Sequence, residues 1–163
     1  MSKVVVLKTN PVKILSDYQK LIKSFSSSLD KKKPVILKLN LSWTKFYPAC
    51  SSPPWQVEGV IKGLLNLGFE PKNIVPVENE TVVTNVQQGT ENHGWLKIFK
   101  KYGIKMRFLT KEQYVKYKPK AKMLVLDKIF PRGIYLPKII FHKNLKKVGY
   151  VYLGIFSGLE PLE

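Results

Sequence analysis

The sequence predicts an α/β fold, a mostly parallel sheet of about four to six strands with helices on both faces. Three observations lead there. Short apolar runs rich in β-branched residues, "KVVVLK" (3–8), "PVILKLN" (34–40) and "NIVPVEN" (73–79), have the length of buried strands. Between them lie stretches with apolar residues at helical spacing. With 44% hydrophobic residues among 163, the chain also has the material for one domain with a real core.

After the strand at 3–8, Ile14, Leu15, Tyr18, Leu21, Ile22 and Phe25 form the stripe of a helix over about 13–26, with Pro11 near its entry. The polar turn "SSSLDKKK" leads to the second strand. Next comes "NLSWTKFYPACSSPPWQVEGV" (40–60), a long loop running into a helix. Pro53 and Pro54 suit that helix's first turn, Ser51 or Ser52 is its expected cap, and Gly68 stands where its C-terminal cap belongs. In the third strand Pro76 argues for an edge or a bulge, and "ETVVTNVQQGTEN" (80–92) reads as a functional loop. A helix over 94–103 should end at Gly103, followed by a strand at 104–109, a short helix at 110–117 capped by Thr110, and a strand at 122–130. That last strand is expected to pair with 134–142 across the "PRG" turn.

The net charge of +17 invites a nucleic-acid reading, so its distribution matters. Basic and acidic residues number 9 and 2 in 1–40, 5 and 5 in 41–100, and 14 and 4 in 101–163, which leaves the middle neutral. Only Arg107 and Arg132 are arginines, whereas base and phosphate recognition leans on the planar arginine fork. Lysines spread over solvated faces account for the charge more simply. Binding of nucleic acid or an acidic partner through the basic flanks is therefore the alternative function. The single Cys50 permits no intrachain disulfide, and no iron-sulfur or zinc motif is present. No apolar run reaches membrane-spanning length; the nearest, 148–159, suits a buried segment. A soluble protein of the cytoplasm, with no membrane partner, is expected.

Ligands of parallel sheets sit beyond the carboxyl ends of the strands, where the loops 40–52 and 78–92 should face one another. Asn40, Ser42, Ser51, Ser52, Glu78, Asn79 and Thr81 are the candidate ligand-binding residues. Ser51, Ser52 and the following helix start can hold an anionic group, although Pro53 and Pro54 bring no N–H and Ser52 as a plain cap is the commoner case. Asn40, Glu78 and Asn79 can orient a polar ligand or a hydrated cation, or can simply serve turn chemistry. Cys50 as a nucleophile would need a base, and the chain offers only His93 and His142, neither in a catalytic signature. Trp43, Phe46, Tyr47 and Trp55 can stack on a planar ligand or anchor the loop to the core.

The segments "ILKLNLSW", "FYPACSSPPWQVEGVI", "ENETVVTNVQQGTEN" and "KPKAKMLVLDKIFPRGIYLPKII", in this order and spacing, resemble the prokaryotic family filed as domain of unknown function 362. The resemblance covers roughly 35–144. It implies an α/β domain, in some members joined to ferredoxin-like iron-sulfur modules, and hence a role in metabolism of redox or cofactor type. Family members commonly carry Lys-Pro-Asn at the end of the second strand; this chain has Lys38, Leu39 and Asn40. After Asn144 the family's Gly-rich continuation is replaced by "LKKVGYVYLGIFSGLEPLE". The expected organisation is thus an α/β domain over 1–144 and a divergent tail over 145–163, of the kind an early stop or frame slip produces. On that reading the chain is an incomplete domain and not a complete enzyme. A shortened remnant without function, which dimerises to cover exposed core, is the third reading.

Overall fold

The computed structural model describes residues 4–47, 49–118, 126–129, 131–138 and 149–152. In chain order its elements are α1 (Ile14–Ser24), β1 (Val35–Lys38), α2 (Pro54–Asn66), β2 (Ile74–Glu78), α3 (Val86–Asn92), α4 (Trp95–Tyr102), β3 (Arg107–Phe108), β4 (Tyr114–Tyr117), α5 (Leu126–Ile129), β5 (Ile134–Pro137) and β6 (Gly149–Tyr152). The architecture is mixed α/β. One sheet has the order β3-β2-β1-β6 with every pairing parallel, and a second consists of the antiparallel pair β4-β5.

Strand β1 lies inside the sheet, which is why "VIL" is apolar without alternation: Val35, Ile36 and Leu37 are all buried. Its two faces meet different neighbours. Val35 and Leu37 join Ile22 of α1, Val57, Val60, Ile61 and Leu64 of α2, and Trp95, Ile98 and Phe99 of α4 in the main core. Ile36 turns the other way, into a smaller cluster with Val77 and Leu109. Burying such side chains contributes roughly 1.5–3 kcal/mol each, so the main core dominates the stability of the described part.

Helices α1 and α2 lie close because Gly59 and Gly63, one turn apart, leave room. A Cβ at Gly59 would come within 2.7 Å of Tyr18 Cβ, and one at Gly63 within 2.9 Å of Ile22 Cβ. Past the end of α2, Gly68 takes φ +88°, the left-handed conformation expected of its place after the helix.

Several expectations are corrected. Residues 4–8 form no strand, and Val4 and Val6 are 83% and 85% exposed; the place beside β1 is taken instead by β6, from the 145–163 stretch that sequence set apart. Most of the supposed loop 80–92 is α3, whose first turn is capped by the Asn85 side chain accepting from the Gln88 amide at 2.8 Å. The strand at 104–109 shrinks to β3. The helix expected at 110–117 is β4, because "YVKY" finds an antiparallel partner in β5, and strand partners override local propensity. Of the strand expected at 122–130, residues 126–129 are helical and the rest lies outside the described residues; the pairing expected across "PRG" is not found there, and β5 pairs with β4 instead. Residues 139–142 and 153–163 also lie outside. No helix among the described residues is long and apolar enough to cross a membrane.

Candidate functional site

Parallel pairing places the carboxyl ends of β1 and β2 side by side, with Lys38 in register with Val77 and Glu78 one residue further on. Two side chains of opposite charge thus emerge at the same sheet edge. Lys38 Nζ donates to Glu78 Oε1 at 2.5 Å and to the Leu39 carbonyl at 2.7 Å. The Asn79 amide donates to the same Oε1 at 2.8 Å. Glu78 Oε2, also buried, has no hydrogen-bond partner among the described residues.

The two partners differ in environment. The Glu78 side chain is 5% exposed and the Lys38 side chain 34%. Burial raises the Glu78 carboxyl above its ordinary 4.5, since the charged form loses solvation; Lys38 and the amides of Asn79 and Leu41 oppose this without cancelling it. A carboxyl raised by desolvation beside a specific charge, at the carboxyl end of a parallel sheet, makes Glu78 a candidate functional group.

The loop after β1 uses most of its polar groups on itself. The Asn40 amide donates to Ser52 Oγ at 3.0 Å and the Ser52 amide returns a bond to the Asn40 carbonyl at 2.9 Å. Asn40 Nδ2 donates to Ser42 Oγ and to the Cys50 carbonyl, Ser42 Oγ donates to that carbonyl at 2.5 Å, and the Ser42 amide donates to Ser51 Oγ. Asn40, Ser42, Ser51 and Ser52 are therefore brought together, as one stitched unit. Ser51 and Ser52 are buried, and the expected serine cap of α2 is not made: Pro53 is the N-cap residue and no side chain caps it. The Trp95 indole N–H closes the unit by donating to the Ser52 carbonyl at 2.8 Å.

The loop tip does face the turn after β2, as the strand order implied. Thr44 Oγ1 accepts from the Asn85 amide at 2.8 Å and donates to the Val83 carbonyl at 3.4 Å, while Asn92 Nδ2 donates to the Thr44 carbonyl at 2.9 Å. In that turn Thr81 pairs with Thr84 through backbone and hydroxyl contacts. Asn79 and Thr81 are exposed at the rim, beside Glu78 in sequence. Trp43, Phe46, Tyr47 and Trp55 are each about half exposed, although Phe46 packs on His93 and Trp55 on Tyr18. Cys50 is exposed too, and among the described residues no three His, Cys, Asp or Glu side chains form a metal-binding group.

Lys38, Thr44 and Asn85, none of them among the sequence candidates, join this cluster. The signal for Lys38 was a lysine closing an otherwise apolar strand. For Thr44 and Asn85 there was none, because their contact spans 41 residues. No family model matches the chain, and neither a curated protein nor a solved structure matches it.

Proposed function

We propose that this chain is a small-ligand-binding α/β domain of metabolic or redox-related role, working in the cytoplasm, whose ligand sits beyond the carboxyl ends of β1 and β2. Lys38 and Glu78 read the ligand, Asn79 and Thr81 stand at its rim, and the stitched loop of Asn40, Ser42, Ser51 and Ser52 forms one wall. The observation that carries this reading is the Glu78 carboxyl, only 4% exposed, with Oε1 taken by Lys38 and Asn79 and Oε2 closing no hydrogen bond among the described residues, although the Leu41 amide acts on the carboxylate. An unmade hydrogen bond at a buried acceptor costs roughly 1–3 kcal/mol, which a ligand donor relieves. Lys38, two of whose donors go to Glu78 and Leu39, keeps a third N–H and partial exposure for an anionic group.

A small anionic ligand fits better than a bare metal ion, because the Lys38 ammonium already neutralises the carboxylate and repels a second cation. The resemblance to family 362 supports the same placement, since Lys38 and Asn40 stand where that family carries its Lys-Pro-Asn.

Native mass spectrometry of the purified full chain tests the proposal. A small molecule retained by the wild type and lost from both Lys38→Met and Glu78→Gln is the expected result. Retention by both variants, or a ligand-free spectrum dominated by dimers and larger species, overturns it.

A further inference from the structure

His93 lies outside the Lys38–Glu78 pair and follows α3 as its C-terminal cap residue. It is only 2% exposed. Its Nδ1 is 2.9 Å from the Gly89 carbonyl oxygen. A carbonyl only accepts, so Nδ1 carries the proton and Nε2 of the neutral ring carries a lone pair. That Nε2 is buried and has no hydrogen-bond partner among the described residues. A buried acceptor of this kind is uncommon and calls for a donor from water, an ion or a ligand.

The surroundings say what such a ligand would be. On one side lies the ring of Trp95, fully buried, 5.3 Å from the imidazole between centroids. Another side is closed by Phe46, edge-on at 5.4 Å and 72°. Phe46 is 50% exposed, so turning its ring outward gives up little burial. The loop that carries it need not move, because Thr44 holds the tip to Asn85 and Asn92. Displacing Phe46 would uncover the imidazole beside the Trp95 ring, two aromatic surfaces with one acceptor between them for a flat ligand.

We propose that Phe46 is a gate and that His93 Nε2 is the acceptor of a subsite for a small planar ligand bearing one O–H or N–H donor, of the phenol or azole class. This goes beyond the reading of the Lys38–Glu78 pair and stands without it.

Phenol and toluene, which share a ring and differ in the donor, are the probes. In the full-length Phe46→Ala variant phenol should bind at least about tenfold more tightly than toluene, the factor a single hydrogen bond commonly supplies. Phenol should also shift the ¹⁵N resonance of His93 Nε2, in the wild type as well at higher concentration. Adding His93→Phe should abolish the preference while toluene still binds. Equal binding of the two probes, no binding of either, or a preference that survives His93→Phe overturns the proposal. So does an Nε2 that is protonated at neutral pH in the ligand-free wild type, a reading that needs no variant. If Phe46→Ala fails to fold, Phe46→Leu serves the same comparison.

Discussion

Lys38 Nζ and Glu78 Oε1 lie 2.5 Å apart across two parallel strands, and the carboxylate is nearly buried while the ammonium is one-third exposed. The asymmetry means that the pair does not behave as a surface salt bridge. Removing the ammonium by Lys38→Met leaves a buried carboxylate without its counter-charge, which should cost about 2 kcal/mol, below the usual figure for a fully buried pair because Lys38 is partly solvated. Urea unfolding at neutral pH measures this; a change under about 0.5 kcal/mol, the range of an ordinary surface substitution, would show that the pair is idle.

Stability should respond to pH through two groups of opposite sign. Burial raises Glu78 above 4.5, so the native state binds that proton more tightly than the unfolded chain. The stability this group contributes is fully present below 4.5 and is lost as pH rises through its folded value. Desolvation lowers His93 below 6.5, the Gly89 contact opposing it. Its contribution is present above 6.5 and is lost as pH falls through its folded value. Urea midpoints across this range should therefore lose the first slope in Glu78→Gln and the second in His93→Gln. Unchanged slopes in both variants would assign the pH dependence elsewhere.

The contact of α1 with α2 depends on the absence of a side chain at Gly59. Gly59→Ala gains roughly 1 kcal/mol of helix propensity but places a Cβ 2.7 Å from Tyr18 Cβ, an atom next to the backbone that cannot swing away. Overpacking of this kind costs typically 1–3 kcal/mol, so the net change should be a loss. A variant more stable than the wild type in thermal unfolding would mean that α1 shifts at little cost.

Within the stitched loop, Ser52 is fully buried and its Oγ accepts from the Asn40 amide. Ser52→Ala leaves that N–H without its acceptor and should destabilise by roughly 1–3 kcal/mol, with faster hydrogen exchange at Asn40 as the local signature. Protection unchanged at Asn40 would show that the stitch is not made by this hydroxyl.

Ala49 takes φ +64°, a left-handed conformation in a residue with a Cβ. Ala49→Gly removes a strain of about 1 kcal/mol at the cost of greater freedom in the unfolded chain, so a gain of about 0.5 kcal/mol in urea unfolding is expected. A loss would indicate that this conformation is not the one populated in solution.

The readable part of the fold was local. Ile14 to Phe25 and Val57 to Leu65 each carry a helical stripe; α1 lies within the first and α2 contains the second. "VIL" and "IVPV" announced β1 and β2 through β-branched residues, and Gly68 and Gly103 stopped their helices with positive φ. The placement of two facing loops beyond the sheet followed from strand order, and Thr44 meeting Val83 and Asn85 bears it out.

Pairing was another matter. "KVVVLK" and "GYVY" have equal claims to the position beside β1 when judged by composition, and only the register of β1 with Gly149–Tyr152 decides between them. "YVKY" has the content of a helix or a strand until β5 lies next to it.

The sequence by itself determined a mixed α/β chain, with α1, β1, α2 and β2 where periodicity and β-branched runs put them, because those signals are local. Tertiary structure alone decided what those candidates do. Asn40, Ser42, Ser51 and Ser52 bond to one another and to the Cys50 carbonyl, whereas Glu78 Oε2 and His93 Nε2 are buried without a hydrogen-bond partner among the described residues. A polar group's availability depends on which neighbours, tens of residues away, fold against it, and burial sets the cost when none of them answers it.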